Sequence, residues 1–318
     1  MIIFGLLLQT STKWSKRLVR SFSIFIALLV LLVAVAAGYD SYAGAGLRTK
    51  YPPPGQFIQI GEARMHYLCQ GSGEPTLVLE AGNNDGVLGW SQVMPTLARR
   101  NRVCAFDRLG QDWSDPAPYP RTFSAPVDEL HTALESLGIE RPVVVGHSLG
   151  GALVQIYAAR YEVAGVVLVD GLSSDIVDPV VARLGGYQSL RWLAQLGLLR
   201  PIGNLAADAD YPPEIREQMI ALRSQSAALI RAVNYQAVAA QTAGDELRAA
   251  EAKLDVPILI IAAGQNELPE DFTGALIALS ERQPNSTVVL VPGASHYVQA
   301  DHPQAVIEAI ENWLPAVR

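Results

Sequence analysis

The chain has 318 residues, half of them apolar, and its 24 basic and 31 acidic side chains give a net charge of -7. Lys13, Lys16, Arg17 and Arg20 lie in the first twenty positions, which hold no acid, so the remainder sets 20 basic against 31 acidic residues and argues against nucleic-acid binding. Cys69 and Cys104 are the two cysteines, and without C-x-x-C spacing they indicate neither a disulfide scaffold nor a thiolate metal site.

Residues 1–20 read as a basic cytoplasmic tail. From Phe22 to Gly38 there is no charge. Seventeen helical residues rise roughly 26 Å, and the uncharged flanks extend that to the ~30 Å of a bilayer core. Residues 21–43 are therefore expected to form a transmembrane anchor, and the preceding cations place the amino terminus in the cytoplasm and the rest outside it. Ala34-Val35-Ala36 also resembles a signal-peptidase site, so secretion after cleavage is the alternative. Residues 44–56 read as a linker, ending in Tyr51-Pro52-Pro53-Pro54-Gly55, where the prolines cannot continue a helix.

Phe57–Ile60 and Arg64–Cys69 look like a hairpin turning near Gly61. Six short apolar runs rich in β-branched residues follow: Thr76–Leu79, Val103–Phe106, Val143–Val145, Val166–Val169, Ile258–Ile261 and Val288–Val291. Helical stretches separate them. Runs of this kind predict strands buried on both faces, hence a parallel sheet covered by helices. Cys69 and Cys104 end one run and begin another on neighbouring strands, which suits either a disulfide or two buried thiols. Between about 173 and 250 no core strand is legible. Leu190-Leu193-Leu196-Leu199 and Ile215-Met219-Leu222 have helical spacing and predict a helical insertion, either a cap over a site or a second packing layer.

Gly146-His147-Ser148-Leu149-Gly150 fits G-x-S-x-G between an apolar strand and a helix-forming stretch. On such a turn the serine is exposed as a nucleophile, the helix amino terminus faces the developing negative charge, and His147 should point elsewhere. A serine hydroxyl needs a base. Of the five histidines, His296 lies directly after the last strand, where a doubly wound sheet gathers its site residues. The carboxylate that orients the imidazole is expected to be Glu267, on the loop after Ile258–Ile261. Asp170, at the tip of Val166–Val169, is the alternative, followed by Asp271 and Asp175. Backbone donors to an oxyanion are expected from Leu149 and from Asn83 in the loop after Thr76–Leu79.

These residues resemble the α/β-hydrolase superfamily over 57–318, most closely its membrane-anchored or secreted bacterial members. The resemblance rests on Tyr51–Gly55, Leu79-Glu80-Ala81-Gly82, Arg102–Arg108, the serine turn, Val166–Asp170, and His296 with Asp301-His302-Pro303. It implies an α/β fold with a mostly parallel eight-stranded sheet, helices on both faces and a helical cap between strands six and seven. Three departures stand out. Ala81-Gly82 replaces a His-Gly pair, Asp112 replaces the second glycine of Asp-Arg-x-Gly-x-Gly-x-Ser, and the acid after strand seven would be Glu267 rather than Asp. The expected activity is hydrolysis of an ester, thioester or amide of a small or lipid-like acyl substrate, without cofactor or metal. Acyl transfer on the same residues and a non-catalytic binding module are the alternatives.

Overall fold

The computed structural model describes residues 2–83, 85–117, 121–185, 211–223 and 242–317. Eight strands form one sheet in the order β1-β2-β4-β3-β5-β6-β7-β8. They are β1 Gln56–Ile60, β2 Ala63–Gln70, β3 Leu77–Glu80, β4 Val103–Phe106, β5 Val143–His147, β6 Gly165–Val169, β7 Ile258–Ala263 and β8 Ser286–Val291. The β1–β2 and β2–β4 pairs are antiparallel. All other pairs are parallel.

The period-two geometry of a strand explains why the predicted runs are continuously apolar. Val78, Val144, Val166 and Ile260 face one side of the sheet, where they pack with residues of the helices Ser124–Ser136, Leu149–Ala158 and Phe272–Arg282. Leu77, Leu79, Val143, Val145, Val167 and Ile261 face the other, against Met94–Leu97 and Pro303–Trp313. The hairpin turns at Gly61, whose φ is +58°. Cys69 pairs with Cys104 in the β2–β4 register, and the two form a disulfide.

The amino-terminal helix runs from Ile2 to Ala45, and its stretch Lys16–Tyr39 has a mean hydropathy of 2.7 and is not buried. The expected linker over 44–56 is only partly extended. Ala, Gly and Ser leave the helix intact to Ala45, Leu47–Lys50 adds a further turn with Leu47 buried, and Pro52–Pro54 end helical structure. This segment also docks: Trp113 Nε1 donates to Tyr51 O at 3.0 Å, and Lys50 and Tyr51 both donate to Glu217.

Between β6 and β7 the described residues contain no strand. Val177–Gly185, Pro213–Arg223 and residues 242–251 are helical. Met219 and Leu222 are buried with Leu88 and Trp113, and Ile215 packs against that group, as their spacing predicts. Leu190, Leu193, Leu196 and Leu199 lie outside the described residues.

The disulfide closes 35 residues of chain. The chain-entropy relation assigns such a loop about 4 kcal/mol. Replacing both cysteines by alanine is expected to lower Tm by several degrees without changing the far-UV circular dichroism spectrum at 20 °C.

Candidate active site

The carboxyl ends of β3, β5 and β6 converge on one point. Ser148 follows β5 directly and begins the helix Leu149–Ala158, with φ at +50° in the left-handed region. Two glycines permit this turn. A Cβ on Gly146 would lie 2.3 Å from Gly150 O, and one on Gly150 would lie 2.2 Å from Glu80 O, so β3, β5 and the helix touch through bare backbone. Ser148 N–H donates to Val169 O at 3.3 Å, and the pairing of His147 with Val169 sets Ser148 and Asp170 at adjacent strand tips.

The structure brings His296 to Asp170. His296 Nδ1 lies 2.7 Å from Asp170 Oδ2. A carboxylate has only acceptors to offer, so this hydrogen bond assigns the proton to Nδ1 and leaves Nε2 its lone pair. Asp170 is fully buried, has φ at +43°, and also accepts from Ala263 N at 3.0 Å and from Asn266 Nδ2. Phe272 packs edge-on to the His296 ring at 4.8 Å.

Asp170, and not the expected Glu267, bonds the imidazole. Glu267 is exposed, on the loop that follows β7. Its neighbour Asn266 points inward instead and bonds Asp170. The short Asp170 side chain, starting at a strand tip, needs no loop to reach the ring. Of the remaining candidates, Asp271 caps the helix Phe272–Arg282 by accepting from Gly274 N, and Asp175 pairs with Arg282.

His147 was expected to point away from the site, and it does not. Its ring centroid is 4.8 Å from that of His296, and its Nε2 donates to His296 O at 3.0 Å. Its Nδ1 faces Asp85 Oδ2 at 3.9 Å. Burial, reinforced by His296 and opposed by Asp85 and Asp170, lowers the His147 pKa to about 4.

Asn83 sits in the turn that Asp85 N–H closes on Gly82 O at 3.3 Å, and Leu149 is the first residue of its helix, where amides have no preceding turn to bond. The loop is fixed from below. Arg108 donates to Ala81 O at 2.7 Å and Gly82 O at 2.5 Å and pairs with buried Glu80, whose carboxyl burial pushes up against the pull of Arg108. Val87 N–H donates to Asp107 Oδ1 at 2.7 Å. Asp112, at φ +33°, lies 3.6 Å from Arg223 Nε, and burial pushes its pKa up to about 6 although Arg223 pulls it down. Neither Asp85 nor Arg223 stood out in the sequence, although Asp112 in place of a glycine marked the neighbourhood. Among the described residues no cluster of His, Cys, Asp and Glu is arranged to hold a metal ion.

The model of the alpha/beta hydrolase family matches residues 77–309. The chain belongs to this family. The 2-(acetamidomethylene)succinate hydrolase of Mesorhizobium japonicum is 27% identical over 273 residues, spanning 81% of this chain and 94% of that protein. The (lyso)-N-acylphosphatidylethanolamine lipase of Bos taurus is 28% identical over 270 residues, or 74% of this chain and 78% of the lipase. Among solved structures, a thermophilic esterase from Thermogutta terrifontis superposes with a TM-score of 0.65 at 22% identity, covering 82% of this chain and 99% of the esterase. A structure described as a putative epoxide hydrolase from Pseudomonas aeruginosa does so at 0.68 and 22%, covering 83% and 95%. These two likenesses concern the fold. Family and relatives together make this α/β hydrolase a hydrolytic enzyme.

The depressed His147 pKa has a consequence for stability. Above the ordinary histidine value of 6.5 the ring is neutral in folded and unfolded chains alike, and between there and about 4 only the unfolded chain takes up the proton. Stability from His147 is thus complete above 6.5 and lost as pH falls toward 4. The fall in Tm from pH 7 to pH 5 is expected to be smaller in His147→Asn than in wild type, measured by calorimetry.

Proposed function

We propose that this α/β hydrolase cleaves carboxylic esters through an acyl-enzyme on Ser148, with His296 as general base and Asp170 as its orienting acid. The observation that carries the reading is the Asp170–His296 hydrogen bond at 2.7 Å beside a serine at positive φ on a strand-to-helix turn. A carboxylate on Nδ1 leaves the Nε2 lone pair for the hydroxyl proton and stabilises the imidazolium once formed. Ser148 Oγ attacks the ester carbonyl carbon as its proton passes to His296. The carbonyl oxygen becomes an oxyanion, for which the Asn83 and Leu149 amides are the proposed donors. Collapse expels the alcohol, which takes the proton from the imidazolium. Water, activated by the same nitrogen, then attacks the acyl-enzyme and releases the acid. A serine in this position speaks against the aspartate-nucleophile chemistry of epoxide hydrolases. The substrate reading is a small or lipid-like acyl ester, bracketed by relatives named for a substituted succinate and for a phospholipid lipase.

A fluorophosphonate probe is expected to label wild type and not Ser148→Ala, and equal labelling of both would refute the nucleophile. In steady-state assays with a p-nitrophenyl ester, Asp170→Asn should lose at least about a hundredfold in kcat, or roughly 2.7 kcal/mol of transition-state stabilisation. Glu267→Gln should stay within about threefold of wild type. The reverse order would return the acid to the β7 loop.

We further propose that the amino-terminal helix anchors the enzyme, with the globular part outside the cytoplasm. Support comes from its exposed apolar stretch, the basic residues before it, and a disulfide in the globular part. Protease added to intact spheroplasts expressing the full chain should digest the globular domain. Protection until lysis would place the domain in the cytoplasm.

A further inference from the structure

We propose that Arg223 is a positioning residue that ties the helix Pro213–Arg223 to the turn carrying Asn83, so that this amide is held in place only while the helix is seated. The inference rests on the ester-hydrolase reading above and adds a control element to that site.

The helix is amphipathic. Met219 and Leu222 are buried with Leu88 and Trp113, and Arg223 at its end is buried as well, with 8% of its surface exposed. A guanidinium in such a place needs partners. Its Nη1 lies 2.9 Å from Asp85 Oδ1 and its Nε 3.6 Å from Asp112 Oδ1, and both acids are buried. Asp85 is the residue whose N–H closes the turn on Gly82 O, with Asn83 inside it. Arg223 therefore grips the end of the proposed oxyanion loop through Asp85 and braces it on the segment after β4 through Asp112. A second tether runs the same way: Tyr211 OH, just before the helix, donates to Gly89 O at 3.1 Å.

Charge placement explains why the grip matters. Asp85, Asp107 and Asp112 surround this loop. Asp107 is answered by His66, which takes Gly55 N–H on Nε2 and turns Nδ1 to the carboxylate at 2.7 Å. Arg108 is committed to Glu80 and to the carbonyls of Ala81 and Gly82. Among the described residues Arg223 is the cation that pairs Asp85 and Asp112. Without it two buried carboxylates repel each other beside His147 and Asn83, and the loop relaxes away from the geometry the transition state requires. Asp112 supports the same view, because an aspartate held at φ +33° carries a backbone cost that an ionic contact can offset.

The test is steady-state kinetics on the detergent-solubilised full chain with p-nitrophenyl butyrate, alongside fluorophosphonate labelling and Tm. Arg223→Met should lower kcat at least about tenfold with KM within about threefold, because an oxyanion donor acts in the transition state. Arg223→Lys, which keeps the charge, should recover most of that loss. Asp85→Asn approaches the pair from the loop side and should also lower kcat without raising KM, which keeps the inference testable if Arg223→Met does not fold. Wild-type kcat in Arg223→Met with only a lower Tm would overturn it. So would a raised KM at constant kcat, which marks substrate binding. A wild type that neither turns over ester nor takes the probe would instead defeat the ester-hydrolase reading itself.

Discussion

The site depends on how closely three pieces of backbone approach one another at the carboxyl ends of β3, β5 and β6. Gly146 and Gly150 have no room for a side chain, because the carbonyls of Gly150 and Glu80 occupy the space. That contact is what lets the chain reverse from strand to helix within one residue, and Ser148 takes the left-handed conformation as a result. Parallel pairing of β5 with β6 then brings Asp170 beside the serine without any loop between them. The β7 and β8 connections add Asn266 and His296 from the other side. A sheet buried on both faces is rigid enough to hold this geometry, and the two apolar layers that clamp it are the reason the strands are so uniformly aliphatic.

Charge is handled by enclosure. Glu80 with Arg108, and Asp85 and Asp112 with Arg223, are buried ion pairs beneath and beside the loop that holds Asn83, and Asp107 accepts a buried hydrogen bond from His66. Burying ions is costly, and removing one partner leaves the other stranded. Such pairs contribute little net stability, but they fix direction: each orients a backbone segment that apolar packing alone would leave free to slide. His147 belongs to this arrangement. Kept neutral by burial, it donates to the carbonyl of His296 and so braces the backbone of the proposed base.

The strands were legible because their residues alternate between two buried faces, and the serine turn because its glycines and flanking elements are local. The proposed nucleophile Ser148 and base His296 were legible from position along the chain alone. The carboxylate that bonds the His296 ring was not. Two carboxylates lay near the ends of adjacent strands, and the choice turned on a fraction of a turn in the loop after β7, which points Asn266 inward and Glu267 outward. The direction of His147 is not legible for a similar reason: the strand-to-helix turn fixes the serine's direction but leaves its neighbour's to packing against His296 and Tyr297. Arg223 was hidden because its partners Asp85 and Asp112 lie more than a hundred residues earlier. The only trace was Asp112, standing where the family's pattern has glycine.

The central claim is that the serine turn, the Asp170–His296 pair and the Asn83 turn form one reaction centre. A crystal structure of the enzyme after reaction with a phosphonate ester tests it most directly. The account predicts phosphorus bonded to Ser148 Oγ, with the phosphonyl oxygen within hydrogen-bond distance of both the Asn83 and Leu149 amides and His296 Nε2 facing Oγ. Phosphorus on another side chain, or an adduct whose oxygen turns to solvent away from both amides, would contradict it.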